Sequence, residues 1–280
     1  MSDRAIRDKV VVITGGARGI GFATAHALHR LGARVAIGDI DELKVKESGA
    51  RLGLPVAAKL DVTDSNSFAE FLDRVERELG PVDVLINNAG VMPVGKIIDE
   101  PDAVTRRIFD INVMGVITGS KLAARRMVAR GSGHVINVAS LAAEGPAPGL
   151  ATYVASKAAA LQFTHCARLE YRTTGVKFSA VLPAFTNTEL VAGTHGPKGL
   201  KNAEPEDIAD AIIRVIRKPT ARVDVPKVAG LLVATSRFVP RGIYEALTRA
   251  LGSERLFIDD VDVVRRRAYE DRARGIRGPA

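Results

Sequence analysis

The sequence predicts an α/β fold: a doubly wound parallel sheet of about seven strands with helices on both faces and a helical C-terminal extension. Three observations predict it. Short apolar, β-branched runs alternate with segments of helical periodicity through the first 220 residues. The runs are apolar throughout rather than alternating with polar residues, as befits strands buried on both faces. A glycine-rich turn, Gly15–Gly21, joins the first run to the first helical segment.

The elements follow in order. Val10–Thr14 (VVVIT) reads as a buried strand and Phe22–Leu31 as helical. Arg34–Gly38 is a second strand ending at Asp39, and Val56–Leu60 a third ending at Asp61. Asp64 is placed to cap a helix whose Phe68, Phe71, Leu72, Val75 and Leu79 share one face, and Gly80-Pro81 stops it. Val82–Ile86 is a fourth strand, Ala103–Met127 a long helix, His134–Val138 a strand, Thr152–Arg172 a helix and Lys177–Leu182 a strand. Residues 187–203, with their glycines and a proline, break the rhythm and suggest a lid or surface loop. Pro205–Arg217 is a helix with proline in its first turn. Arg222–Pro226 reads as a last edge strand, and Ile243–Leu251 and Asp262–Ala273 as helices, the latter charged. Right-handed crossovers make such an alternation doubly wound. With no repeat or linker in view, residues 1–280 read as one domain, 221–280 being an extension packed on it.

Composition excludes several classes of function. The net charge of +8 is spread, with 31 basic and 25 acidic residues over 1–240 and 9 and 7 over 241–280, so no basic stripe points to nucleic acid. No apolar run is long enough to span a bilayer, and the polar N-terminus does not resemble a signal peptide. The lone cysteine, Cys166, suits a reducing cytoplasm and reads as a buried structural thiol. Five scattered histidines give no metal-ligand spacing, and Arg265–Arg267 reads as a solvated helix face.

The string TGGARGIG carries chemistry. Gly15, Gly19 and Gly21 after a buried strand let a pyrophosphate approach backbone N–H groups at a helix N-terminus, the Rossmann arrangement. Asp39, 18 residues beyond Gly21, ends the next strand, where a carboxylate accepts hydrogen bonds from ribose hydroxyls and repels a 2′-phosphate. Ile40, not a basic residue, follows it. Arg18 inside the turn is the contrary feature, able to meet a 2′-phosphate or an acidic neighbour. The balance favours NAD over NADP.

Tyr153 and Lys157, four apart on a helix, share one face, and Ser140 ends the preceding strand at the carboxyl edge of the sheet, where ligands bind in open α/β folds. Hydride transfer from an alcohol needs a group to take the hydroxyl proton. A phenol serves if a neighbouring lysine and a cationic nicotinamide ring lower its pKa, while Ser140 polarises the substrate oxygen.

These residues together resemble the short-chain dehydrogenases/reductases, over Lys9–Arg217. TGGARGIG, with Gly15, Arg18, Gly19, Ile20 and Gly21, is similar to the family's cofactor turn; Asp61-Val62 to its adenine-contacting pair; and Asn87-Asn88-Ala89-Gly90 to its motif after the fourth strand. The resemblance makes Asn112, Ser140, Tyr153 and Lys157 a catalytic tetrad, Asn112 holding a water that connects Lys157 to solvent. It also brings Tyr153, Lys157, Pro183, Thr186 and Thr188 to the cofactor, although Ala184 stands where the family usually has glycine and Thr186 where it has Val or Ile. The C-terminus departs from the family's short glycine-rich ending. That makes a homodimer built on Ala103–Met127 and Thr152–Arg172 the first expectation, ahead of a homotetramer.

The expected function is NAD(H)-dependent interconversion of a secondary alcohol and a ketone, with Tyr153 as general acid/base. The alternatives are an NADPH-dependent ketoreductase and a non-catalytic NAD-binding scaffold. Val91, Met92, Val94, Leu141, Pro146, Leu150 and Phe185 suggest a pocket for an apolar alcohol or ketone. The run Val228–Val239 is expected to cover that pocket, with subunit contact or a membrane surface as the other readings, and His195 in the loop is a candidate substrate contact.

Overall fold

Seven strands, β1 (Val10–Thr14), β2 (Arg34–Asp39), β3 (Val56–Lys59), β4 (Val84–Asn87), β5 (Gly133–Val138), β6 (Val176–Pro183) and β7 (Arg222–Val225), pair in parallel in the order β3-β2-β1-β4-β5-β6-β7. The structure is a computed structural model and describes residues 5–196, 201–236, 239–240, 242–243 and 255–276. The helices are α1 (Gly19–Arg30), α2 (Glu42–Leu52), α3 (Ser65–Leu79), α4 (Asp102–Phe109), α5 (Val116–Ala129), α6 (Ala151–Glu170), α7 (Pro205–Arg217), α8 (Lys227–Ser236) and α9 (Val263–Arg274). The predicted helix Ile243–Leu251 lies, beyond Ile243, outside the described residues.

The unbroken apolar runs are explained by two cores. Val11 and Ile13 of β1 face a layer with Leu28, Ile208 and Ile212, whereas Val10 and Val12 face one with Phe68, Phe71 and Met127. Both faces of the central strands are therefore buried. Asp64 caps α3 by accepting the Asn66 N–H at 2.8 Å, and Gly80 ends it. Pro205 occupies the first turn of α7, where the Asp207 carboxylate accepts the Glu204 N–H at 2.9 Å.

The chain reverses its direction across the sheet between β1 and β4, which leaves a crevice at their carboxyl ends. Into this edge run the glycine turn after β1, Asn88 after β4, Ser140 after β5 and Ala184–Thr188 after β6.

Three expectations are corrected. The long helix expected over Ala103–Met127 is interrupted by a π turn at Asp110–Gly115, where Gly115 lies so close to Val62 that a Cβ would stand 2.9 Å from its Cγ2. Cys166 is exposed: α6 buries Leu161, Thr164 and Ala167, and Cys166 falls on the opposite face. Arg266, expected in solvent, is 2% exposed, on the inward face of α9.

Candidate active site

One cavity of about 1160 Å³ opens along the carboxyl edge of the sheet. Gly15, Arg18, Gly19, Ile20, Asp39, Ile40, Asp61, Val62, Asn88, Ala89 and Gly90 line one end. Ser140, Tyr153, Lys157, Pro183, Thr186 and Thr188 line the other. Of the residues singled out in the sequence, Gly21 and Asn112 stand behind the cavity wall rather than in it. Gly21 is required by packing, since a Cβ there would lie 2.2 Å from the Gly15 carbonyl oxygen.

The glycine turn is fixed from β4. Asn88 Nδ2 donates to the carbonyls of Thr14 and Gly15, both at 3.0 Å. Thr14 Oγ1 accepts the N–H groups of Asn88 and Ala89, also at 3.0 Å. Thr14 is a residue the sequence reading did not single out. Gly19 has φ +51°, a conformation that side chains rarely adopt, and a Cβ there would press on Thr188 Cγ2 at 3.1 Å, narrowing the gap between the turn and the loop after β6. These features are those of a phosphate cradle at the start of α1.

Asp39 is held by the Ala17 N–H on Oδ2 (3.2 Å) and the Asp41 N–H on Oδ1 (3.1 Å). Burial raises its pKa from the usual carboxylate range, while those donors and the nearby Arg18 charge pull it back. Arg18 Nη2 is ion-paired to Asp41 at 2.7 Å, and its Nε lies 3.6 Å from Glu189.

At the other end, Lys157 and Tyr153 are both buried, and Lys157 Nζ lies 5.9 Å from the centre of the Tyr153 ring. Lys157 Nζ donates to the Val138 carbonyl at 2.9 Å. The Ser140 hydroxyl neighbours the Tyr153 phenol, accepts the Ala142 N–H at 3.1 Å and donates to the Pro183 carbonyl at 3.5 Å. Burial pushes the phenol up to about 12, with the Ser140 bond acting the other way, and pushes the Lys157 ammonium down to about 8. Burial thus raises the phenol, and the Lys157 ammonium is held by the Val138 carbonyl.

Asn112 is fully buried in the π turn, a distortion that recurs at functional sites. Its Oδ1 accepts the Val91 N–H (2.9 Å), and its Nδ2 donates to the Val91 carbonyl (2.9 Å) and to Ser156 Oγ (3.0 Å). A Cβ on Gly90 would lie 3.2 Å from Asn112 Oδ1 and 3.3 Å from Lys157 Nζ, so Asn112 and Lys157 approach each other across that glycine.

The Lys157 shift makes a stability prediction. A lysine whose pKa is lower folded than unfolded holds its proton more weakly in the native state, so its charge opposes folding at every pH below about 8. The penalty fades between about 8 and the ordinary 10.5. Lys157→Met is therefore expected to melt a few degrees above the parent at neutral pH, reflecting a penalty of up to about 3 kcal/mol, and to lose turnover. Thermal melts across pH check it: the gain must vanish on the alkaline side.

The substrate end is apolar. Met92, Leu141, Pro146, Leu150 and Phe185 line it as expected, joined by Phe257, whose ring stacks on Phe185 at 6.1 Å. Val94 packs behind it with the same cluster. Ala229, Leu232, Val233 and Val239 of the Val228–Val239 run line the cavity. His195 is exposed and is not among the lining residues.

Comparison with known proteins decides the family. The model of the short chain dehydrogenase family matches residues 9–197. The chain belongs to the short-chain dehydrogenase family. It is 34% identical over 260 residues to the probable oxidoreductase EphD of Mycobacterium tuberculosis, covering 84% of this chain but only 44% of that protein. It is 36% identical over 225 residues to the cis-4-hydroxycyclohexanecarboxylate dehydrogenase of Sinomonas cyclohexanicum, covering 74% and 89%. It is 34% identical over 239 residues to the 2,3-dihydro-2,3-dihydroxybenzoate dehydrogenase of Bacillus subtilis, covering 77% and 92%. Among solved structures, the 3-ketoacyl-(acyl-carrier-protein) reductase of Brucella melitensis complexed with NADH superposes with TM-score 0.71 at 25% identity, covering 79% of this chain and 97% of that one. The chain spans less than half the length of EphD, though it covers most of the Sinomonas and Bacillus dehydrogenases.

The cavity is also walled by residues that the sequence did not announce. Tyr269, Arg272 and Ala273 of α9 line the cavity, as do Leu256 and Phe257 before it. Among the described residues no helix is long and apolar enough to cross a membrane, and no group of His, Cys, Asp and Glu is placed to hold a metal.

Proposed function

We propose that the chain interconverts a secondary alcohol and its ketone using NAD(H), with Tyr153 as the general acid/base. The observation that carries this reading is the convergence of Ser140, Tyr153 and Lys157 in the cavity whose other end is the glycine turn and Asp39. When bound, the nicotinamide would accept or supply the hydride. In the oxidative direction the substrate hydroxyl proton passes to the Tyr153 oxygen, and Ser140 donates a hydrogen bond to the same substrate oxygen. In reduction the proton returns from Tyr153 to the carbonyl oxygen. Lys157, as a cation, favours the ionised phenol. Both amide protons of Asn112 are committed to Val91 and Ser156, so the water-holding role that the family resemblance assigns to it falls to its carbonyl oxygens.

The turn fits a dinucleotide, because Gly15 and Gly19, both at positive φ, line the cavity at the start of α1 without a side chain. Gly15, Arg18, Gly19, Ile20 and Gly21 would hold the pyrophosphate, Asp39 and Ile40 the ribose, Asp61 and Val62 the adenine. Asn88, Ala89, Gly90, Pro183, Thr186 and Thr188 would flank the nicotinamide half. NAD is favoured over NADP because Asp39 and Asp41 place negative charge at the ribose end, and Arg18 is already shared between Asp41 and Glu189. We therefore expect NADH to bind at least about tenfold more tightly than NADPH, with Asp39→Ala narrowing the gap. Fluorescence titration of both cofactors checks this, and tighter NADPH binding would reverse the assignment.

The substrate reading is an apolar alcohol or ketone, supported by Met92, Leu150, Phe185 and Phe257 around the cavity. The names of the Sinomonas and Bacillus relatives point to ring alcohols that also bear a carboxylate. A nicotinamide absorbance assay over a panel of secondary alcohols and ketones tests the activity. We read residues 1–280 as one domain with 221–280 packed on it. We also read the chain as a cytoplasmic homodimer through α4–α5 and α6, where Met114 and Leu169 stay exposed.

A further inference from the structure

The loop after β4 presents backbone groups at Met92 and Val94 that no strand covers; side chains of α9 cover them. Tyr269 Oη accepts the Met92 N–H at 2.8 Å, and Arg266 Nη2 donates to the Met92 carbonyl at 2.5 Å. Glu270 Oε1 accepts the Val94 N–H at 3.2 Å, and Arg274 Nη2 donates to the Val94 carbonyl at 3.0 Å. Tyr269 is thereby fixed between ordered neighbours, its ring 5.0 Å from the Arg266 guanidinium.

Tyr269 lines the same cavity as Tyr153. Enclosure raises its pKa above that of a free phenol, so it keeps its proton at working pH. Its oxygen accepts from Met92, and among the described residues no group accepts its proton. The walls nearby, Met92, Leu150, Phe185 and Phe257, are apolar. An O–H without an acceptor in an apolar, ligand-sized cavity is a donor for whatever enters.

We propose that Tyr269 is a substrate-orienting residue whose hydroxyl donates a hydrogen bond to a second oxygen of the substrate, selecting alcohols and ketones that bear a further acceptor oxygen. The inference rests on the dehydrogenase reading above, in which Tyr153 serves the reacting oxygen. Tyr269 takes no part in proton transfer. It decides which of two otherwise similar carbons is presented.

The test compares the parent with Tyr269→Phe, which keeps the ring beneath Arg266. The probes are methyl octyl ketone and diketones of the same chain length, the second oxygen moved one carbon at a time. Turnover with NADH is measured alongside calorimetric binding to the enzyme–NADH complex. At least one diketone is expected to exceed the monoketone by about tenfold in kcat/KM, the size of one hydrogen bond in a closed site. In Tyr269→Phe the diketone KM should rise relative to the monoketone KM, so that the advantage disappears beyond any change the two probes share. The proposal is overturned if no diketone is preferred, if the preference survives in Tyr269→Phe, or if monoketone and diketone fall alike, which would make Tyr269 merely a support for Met92. The position series in the parent stands even if the variant folds poorly. Tighter diketone binding without turnover of any probe would support the Tyr269 donor while overturning the dehydrogenase reading.

Discussion

Tyr153→Phe is expected to lower kcat by about 10²–10⁴-fold, the usual worth of a positioned general acid/base, while leaving NADH binding nearly unchanged. The substitution is close to a pure deletion of one oxygen. The ring is 6% exposed and packs with Met92, Leu150 and Phe257, contacts that phenylalanine keeps. Ser140, which loses its phenol partner, still accepts the Ala142 N–H. At neutral pH the phenol is uncharged in the folded and the unfolded chain alike, so its raised pKa adds no stability term there. The melting temperature should therefore change little as activity falls. Steady-state rates, NADH fluorescence and thermal melts on one preparation separate these outcomes. A variant that kept full turnover would remove Tyr153 from proton transfer.

How far the sequence was legible depends on which force placed each element. The strands and the helices α1, α3 and α7 are governed by burial of periodic apolar residues, so VVVIT and the Phe68–Leu79 stripe announce themselves. The glycine turn is legible because close backbone approach excludes every side chain. The π turn at Asp110–Gly115 is not, because one extra residue in a helical turn leaves no mark on a pattern averaged over many residues. Cys166 misled because a thiol is usually buried, whereas its place on α6 points it to solvent. The greatest loss was α9. Its inward face, Arg266, Tyr269, Glu270 and Ala273, follows the i, i+3, i+4, i+7 spacing of a buried stripe, but it is written in polar residues. A search for apolar periodicity reads past it. Only the unpaired backbone of Met92 and Val94, visible in three dimensions, explains why charged side chains belong there.

Arg266→Ala is expected to cost about 3–5 kcal/mol, the cost of breaking a buried ionic network from one side. Arg266 is 2% exposed and makes bonds in four directions: to Glu270 Oε2 at 2.8 Å, Ala192 O at 2.9 Å, Leu190 O at 3.2 Å and Met92 O at 2.5 Å. Truncation would leave those carbonyls and the Glu270 carboxylate with their donor gone and the space around them unfilled. The partners lie in the loops after β4 and β6, so the damage should be local, releasing α9 and both loops while the sheet persists. Hydrogen exchange should quicken over 91–94, 189–193 and 263–274, and KM for the alcohol or ketone should rise because the wall bearing Tyr269 loosens. Arg266→Lys should recover little, since an ammonium cannot span carbonyls and a carboxylate as a planar guanidinium does. Arg265→Ala, on the exposed face one residue away, should stay within about 0.5 kcal/mol of the parent. If Arg266→Ala and Arg265→Ala proved equally mild, α9 would be an appendage of the enzyme rather than a wall of its substrate site.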